Sequence, residues 1–236
     1  MPPRKMPETG GWEMGEREKF CSDMANGLHA MAQPLTILRS TMVACGMLAL
    51  AEADRKRYLD ISAEQVERAC EIFQSLQQLL IANQIEAECA PLDLAELLAP
   101  FAAEDQSLFD APGIALKVIA SEDLPAVIAD KDRTLQTLFA VLKIAVSQSD
   151  PGDAIELQTR MDGGFAEVLI RNSHARGRKL NSTERLNLSL AEANVRSQQG
   201  RFETAENPFQ ASLVFPTHSF KAAKAGAEAS SDARAS

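Results

Sequence analysis

Histidine and aromatic residues are scarce in this chain of 236 residues, which holds three His, one Trp and one Tyr, with Phe, Trp and Tyr together at 5%. Few aromatics beside abundant Ala and Leu exclude a typical all-β design and favour helices. Cysteine is also sparse. Cys21, Cys45, Cys70 and Cys89 show no C-x-x-C pair and no His at metal-ligand spacing, which argues against a zinc or dithiol centre. Three of them fall in apolar helical registers and are expected to act as small core residues. No run approaches the roughly 20 apolar residues that span a bilayer, and "MPPRKMPETGGWEMGE" lacks the apolar centre of a secretory signal. A cytoplasmic location away from membranes is the expectation. Basic charge is in deficit, with 24 Lys and Arg against 33 Asp and Glu and a net charge of −9. Duplex nucleic-acid binding needs clustered cations to neutralise phosphates, so protein partners suit this composition better. Nucleophile elbows, phosphate loops and metal clusters are missing as well.

What is present is a core-forming share of 45% hydrophobic residues, patterned in two different ways. From Cys21 the apolar positions Met24, Leu28, Met31, Leu35, Leu38, Met42 and Cys45 recur at near-heptad spacing, as in a bundle-forming helix. A second helix, from about Asp54 to Asn83, repeats the pattern through Leu59, Val66, Ala69, Phe73, Leu76 and Leu80. The charged link Glu52, Asp54, Arg55 and Lys56 reads as a solvated turn between them. A hairpin of two such helices cannot bury both seams alone, so a homodimeric four-helix bundle is expected. After "ECAPLDL" the pattern changes. Leu92 to Leu108 reads as a helix, Ile114 to Ala120 as a strand, and Asp130 to Ser147 as a helix. "AIELQTR" and "AEVLIRN" read as paired strands about "MDGG", Thr183 to Gln199 as a helix, and "GRFETA" and "ASLVFP" as closing strands. The fold class is α+β. Four segments follow: a disordered terminus over 1–14, the hairpin over 15–88, an α/β sandwich over 89–216 with helices on one face of its sheet, and a disordered tail over 217–236.

One stretch carries chemistry, "GLHAMAQPLTILRS" at residues 27 to 40. His29 lies just outside the apolar seam and faces solvent, where a ring nitrogen is free to act as a nucleophile. Pro34 interrupts the backbone hydrogen bonding one turn later, at a cost of about 3 kcal/mol in a helix interior. Gln33, one turn after His29, can reach the ring or a phosphoryl group on it. A histidine above a proline on the first helix of a dimerising hairpin, followed by a smaller α+β domain, resembles the sensor histidine kinases. It is most similar to those whose phosphoacceptor box ends in Gln-Pro-Leu. The resemblance spans about residues 15 to 216 and implies that His29 is the phosphoacceptor and Pro34 a helix bend beneath it.

The same resemblance marks departures at the nucleotide site. The position of the magnesium-binding Asn is Ile144, whose aliphatic side chain offers no oxygen ligand. At "IRNSHARG", Asn172 stands for the adenine-binding Asp, with His174 and Arg176 in place of glycines. In "ERLNLSLAEANVRSQQG", Arg185 and Asn187 replace glycines that let backbone approach phosphate. Ala30 replaces the acid that normally follows the phosphoacceptor. No cofactor bound by this chain is expected, and any magnesium ion is expected from a partner. What the resemblance then implies is a histidine phosphotransfer protein, carrying a phosphoryl group on His29 between response-regulator receiver domains. The alternatives are a non-catalytic scaffold that binds a kinase or response regulator, and a divergent active kinase. Elsewhere, His174, Arg176, Arg178 and Lys179 form a local basic patch read as a solvated loop, and His218 falls in the tail.

Overall fold

The computed structural model describes residues 14–46, 51–102, 113–121, 124–174 and 178–218. By its contacts the chain divides into two units, Met1–Leu76 and Gln77–Ser236. Both ends for which disorder is expected lie outside the described residues, apart from Met14, Thr217 and His218.

The first unit is a hairpin of α1 (Met14–Cys45) and the greater part of α2 (Glu52–Gln84). On α1 the buried row is made of small residues, Gly27, Ala30, Pro34 and Thr41, spaced three, four and seven apart. The Thr41 and Ser62 hydroxyls meet at 2.8 Å and fix the register of the two helices. The large apolar residues of the heptad pattern divide between two faces, with Met24, Met31 and Leu38 half-buried. Leu28 is 59% exposed and Met42 64%, and Leu35 between them is exposed too. On α2, Leu59, Val66 and Phe73 form a matching exposed row. One half of the expected seam is therefore turned away from the contact between the two helices of one chain, as expected of a hairpin that cannot bury the whole seam alone. Small side chains let the helices of a hairpin lie close together, and that leaves the bulky ones on another face. The expectation of core cysteines is corrected in the same way, since Cys21, Cys70 and Cys89 are exposed and Cys45 is half-buried. Cys21 lies seven residues before Leu28, on the exposed row.

The second unit is built on a five-stranded sheet. β1 (Ala90–Leu92) is followed by α3 (Leu94–Ala102), β2 (Ala115–Ile119), β3 (Val127–Ala129) and α4 (Lys131–Ser147). Then come β4 (Ala154–Asp162), β5 (Phe165–Asn172), α5 (Ser182–Ser197), β6 (Arg201–Glu206) and β7 (Phe209–Pro216). The strand order is β2-β4-β5-β7-β6, with β2 and β4 parallel and the other pairs antiparallel. A two-stranded ladder of β1 and β3 stands beside it. The β4–β5 hairpin turns at Gly163 and Gly164, both at positive φ, as the two-residue turn of "MDGG" demands. Leu157, Val168, Ile170 and Leu213 join Leu138, Leu142 and Val195 of the helices in one core. The opposite sheet face is polar. Arg171 donates to Glu156 at 2.6 Å, and Glu167 accepts from Arg160 and from Ser212. Burial pushes the Glu167 carboxyl up, but those two hydrogen bonds and the Arg160 charge outweigh it and hold the group below its ordinary value.

The helix expected from Leu92 to Leu108 differs in its bounds. Asp93 Oδ1 accepts from Ala95 N at 2.8 Å and starts α3 at Leu94, while Ala90–Leu92 pairs as a strand, and residues 103–112 lie outside the described set. His218 is tied down, its N–H donating to Ala126 C=O at 2.9 Å. Asp130 caps α4 through its Oδ1, and its N–H donates to Gln198, a wholly buried side chain. From α4, Arg133 donates to the Ile85 carbonyl at 2.9 Å, and from α5, Arg196 donates to Asn83 Oδ1 at 3.1 Å. These bonds place the last turns of α2 in the second unit.

Candidate functional site

His29 lies exposed on α1, as its place beside the apolar seam predicts. The helix runs on through Pro34, which is buried, to Cys45. A proline has no N–H to give the carbonyl four residues earlier, here that of Ala30. Gln33 is exposed one turn beyond His29, and Thr36 and Ser40 continue the same face. Their hydroxyls donate to the Ala32 and Thr36 carbonyls, at 2.7 and 2.9 Å. Ala30 points the other way and is 6% exposed. His29 and Gln33 thus share an accessible polar face, while Ala30 and Pro34 belong to the buried row.

In the second unit the positions that differ from a nucleotide site are filled by the protein's own packing. Ile144 is 2% exposed and belongs to the core. The Asn172 amide donates to the Ala145 carbonyl at 3.0 Å and to Ser149 Oγ at 3.1 Å, which ties the end of β5 to α4. His174 Nδ1 lies 3.1 Å from Ser173 Oγ and 3.6 Å from Asp153 Oδ1, and Arg178 donates to Asp150 at 3.1 Å. Lys179 is exposed, and Arg176 lies outside the described residues. The basic patch is thus partly neutralised by the acids of the α4–β4 turn. Arg185 donates to the Leu180 carbonyl and pairs with Glu206 at 3.7 Å, so its charge is directed along the sandwich surface.

Three residues that the expectations above leave out decide the electrostatics of this region. Asn181 Oδ1 accepts from Glu184 N at 3.0 Å, and Glu184 Oε2 accepts from Asn181 N at 2.7 Å, closing a capping box at the start of α5. Ser147 Oγ donates to the other oxygen of Glu184 at 2.6 Å. A helix N-terminus attracts anions through its free N–H groups and its dipole. At α5 that place is taken by the protein's own carboxylate, which repels phosphate. The signal was readable as "NSTE", an N-cap followed three residues later by Glu. Among the described residues no group of three His, Cys, Asp or Glu is placed to hold a metal ion, and no helix is long and apolar enough to cross a membrane. The open groove at the start of α2, lined by Glu52, Ala53, Arg55, Lys56 and Leu59, contains no buried polar group.

No protein-family model and no curated protein matches the chain. Solved structures do. The histidine kinase AdeS of Acinetobacter baumannii superposes with a TM-score of 0.61 at 16% identity, over 80% of this chain and 98% of that one. The histidine kinase ThkA, solved in complex with the response regulator TrrA, gives 0.66 at 17% identity, over 86% of this chain and 64% of that one. Full-length ShkA, solved with AMPPNP, gives 0.52 at 20% identity, over 85% of this chain and 45% of that one. The chain therefore has the fold of the histidine kinases. In particular, it joins a helical hairpin of the dimerisation and phosphoacceptor type to an α/β sandwich of the ATP-binding type, in that order.

Proposed function

We propose that this protein is a histidine phosphotransfer carrier that accepts a phosphoryl group on His29 from the phospho-aspartate of one receiver domain and passes it to another. The observation that carries the reading is the contrast between an accessible His29 and a nucleotide region closed by Ile144, Asn172 and Glu184. Such transfer asks little of the carrier beyond an exposed ring nitrogen and a surface on which the receiver docks. The receiver contributes the aspartate and its magnesium ion, so loss of nucleotide binding here leaves the exchange intact. Gln33, exposed one turn beyond His29, donates a hydrogen bond to a phosphoryl oxygen on His29 in this reading. Pro34 loosens the backbone one turn below. The test is transfer of label to the purified protein from phosphorylated receivers of the same organism, beside His29→Ala and beside magnesium-ATP alone. Label is expected from a receiver only, and its loss in His29→Ala is complete. Label from neither source, with receiver binding intact, would make the protein a scaffold. Label from ATP would make it a kinase.

The carrier works as a homodimer in this proposal. Leu28, Leu35 and Met42 repeat every seven residues on α1, and Leu59, Val66 and Phe73 do so on α2. Leu28 and Phe73, Leu35 and Val66, and Met42 and Leu59 are all centred in sequence on the same point, between residues 50 and 51, at the start of α2. Two copies related by a two-fold axis would bury these rows as successive layers of a four-helix bundle. Leu35→Glu places a charge in the middle layer and is expected to shift sedimentation to the monomer. A wild-type monomer at micromolar concentration would count against the bundle.

A further inference from the structure

α3, α4 and α5 leave one face of the five-stranded sheet uncovered, because all three pack into the core on the other. On that outer face Lys117, Glu156 and Arg171 stand side by side on β2, β4 and β5. A second row, on β4, β5, β7 and β6, holds Arg160, Glu167, Val214 and Arg201. Between the rows lie Ile119 and Leu169. The charges stand at two heights. The Glu156 and Glu167 side chains are only 21% and 8% exposed, whereas those of Lys117, Arg160 and Arg171 are 63%, 59% and 49% exposed. Arg171 donates to one Glu156 oxygen through both Nε and Nη2, and Lys117 shares that carboxylate at 3.8 Å. The bonds from Arg171, its charge and that of Lys117 outweigh desolvation and hold the Glu156 carboxyl below its ordinary value. Arg201 is exposed, its guanidinium 5.1 Å from the centre of the Phe165 ring. Glu203 is the exposed acid among these cations.

We infer that this outer face docks an acidic segment of a partner protein, whose carboxylates meet the projecting cations and whose apolar side chains lie against Ile119 and Val214. Charge complementarity carries the inference. In a chain of net charge −9, this face turns its cations outward and holds two of its acids beneath them. Recessed carboxylates anchor the guanidinium groups before a partner arrives, so less side-chain freedom is lost on binding. Arginine beside apolar and aromatic surface is also what protein interfaces favour. A polyphosphate chain or a phospholipid surface suits it less well, since both ask for cations in an unbroken stretch, and here Glu156, Glu167 and Glu203 interrupt them. The face belongs to the second unit, and the inference holds whether or not His29 carries phosphate.

The probe is a glutamate-rich synthetic peptide, with its glutamine counterpart as control, titrated into the ¹⁵N-labelled full chain. Amide shifts are expected on β2, β4, β5 and β6, with an affinity that falls as salt rises. Lys117→Glu with Arg201→Glu reverses two exposed cations and leaves the core untouched, so the thermal midpoint should hold while affinity for the peptide falls about tenfold or more. Lys131→Glu with Lys179→Glu makes the same change in net charge at exposed positions off this face, and should keep the wild-type affinity. Equal losses in the two double variants would reduce the effect to overall charge and overturn the inference. Equal binding of the glutamine peptide, or no binding of the acidic one, would do the same. Phosphatidylserine vesicles and a single-stranded oligonucleotide are the remaining arms. Tighter binding of either through these residues would overturn the protein partner in favour of a phosphate-bearing one.

Discussion

Ile144→Asn is expected to destabilise the second unit by about 4 kcal/mol and to create no magnesium-nucleotide site. The side chain is 2% exposed within a core that includes Leu142, Ala145 and Leu180. Replacing it removes buried apolar surface and places an amide where nothing around it is known to bond, each worth about 2 kcal/mol. Restoring an oxygen ligand does not restore the site, because its other parts remain closed. Asn172 is still bonded to Ala145 and Ser149, and the Glu184 carboxylate still caps α5. Thermal unfolding with and without magnesium-ATP measures both effects. A ligand that binds the folded state raises the midpoint by an amount that grows with the logarithm of its concentration relative to Kd, so a rise of several degrees in wild type or variant would show that the site is open.

The second large effect is expected at Gly200, between α5 and β6. A Cβ there would stand 2.5 Å from the Val214 carbonyl oxygen, 2.7 Å from Val195 Cγ1 and 3.0 Å from the Val195 carbonyl oxygen. Two of these neighbours are backbone, one in a sheet strand and one in the last turn of α5, so neither can yield cheaply. Gly200 N also donates to that Val195 carbonyl at 3.0 Å, closing the helix end. Gly200→Ala should cost about 3 kcal/mol, a loss of roughly 10 °C in the midpoint of the second unit. Gln199, the preceding residue, has a φ of 61°, and Gln199→Gly fits that conformation without a clash, so its effect should be small. Equal losses at both positions would mean that the whole turn tolerates no change, and the steric argument for Gly200 would fail.

The order of elements was readable because periodicity is local. The 3.6-residue repeats of α1, α2, α4 and α5 and the alternating strands about "MDGG" follow from which face each residue must bury. His29 was readable as an accessible ring for the same reason, since it sits one position off an apolar row. The heptad pattern identified a face that must be covered, yet not what covers it. Large residues at Leu28, Leu35 and Met42 and small ones at Gly27, Ala30 and Pro34 fit equally well with either row meeting α2. Packing chose the small row for the hairpin, and the cysteine assignments went astray with that choice.

The nucleotide region shows the same division. That Ile144, Asn172, Arg185 and Asn187 are not the residue types the resemblance leads one to expect at a nucleotide site is a property of the sequence alone. That Glu184 turns back to close the α5 N-terminus, that Ser147 reaches across from α4 to meet it, and that Asn172 fastens β5 to α4 was decided only by the tertiary structure. Ser147 and Glu184 are 37 residues apart in the chain and meet at 2.6 Å. Helical and strand periods follow from neighbours a few positions away, whereas such a contact depends on how two elements are laid against a shared core, which no local pattern encodes.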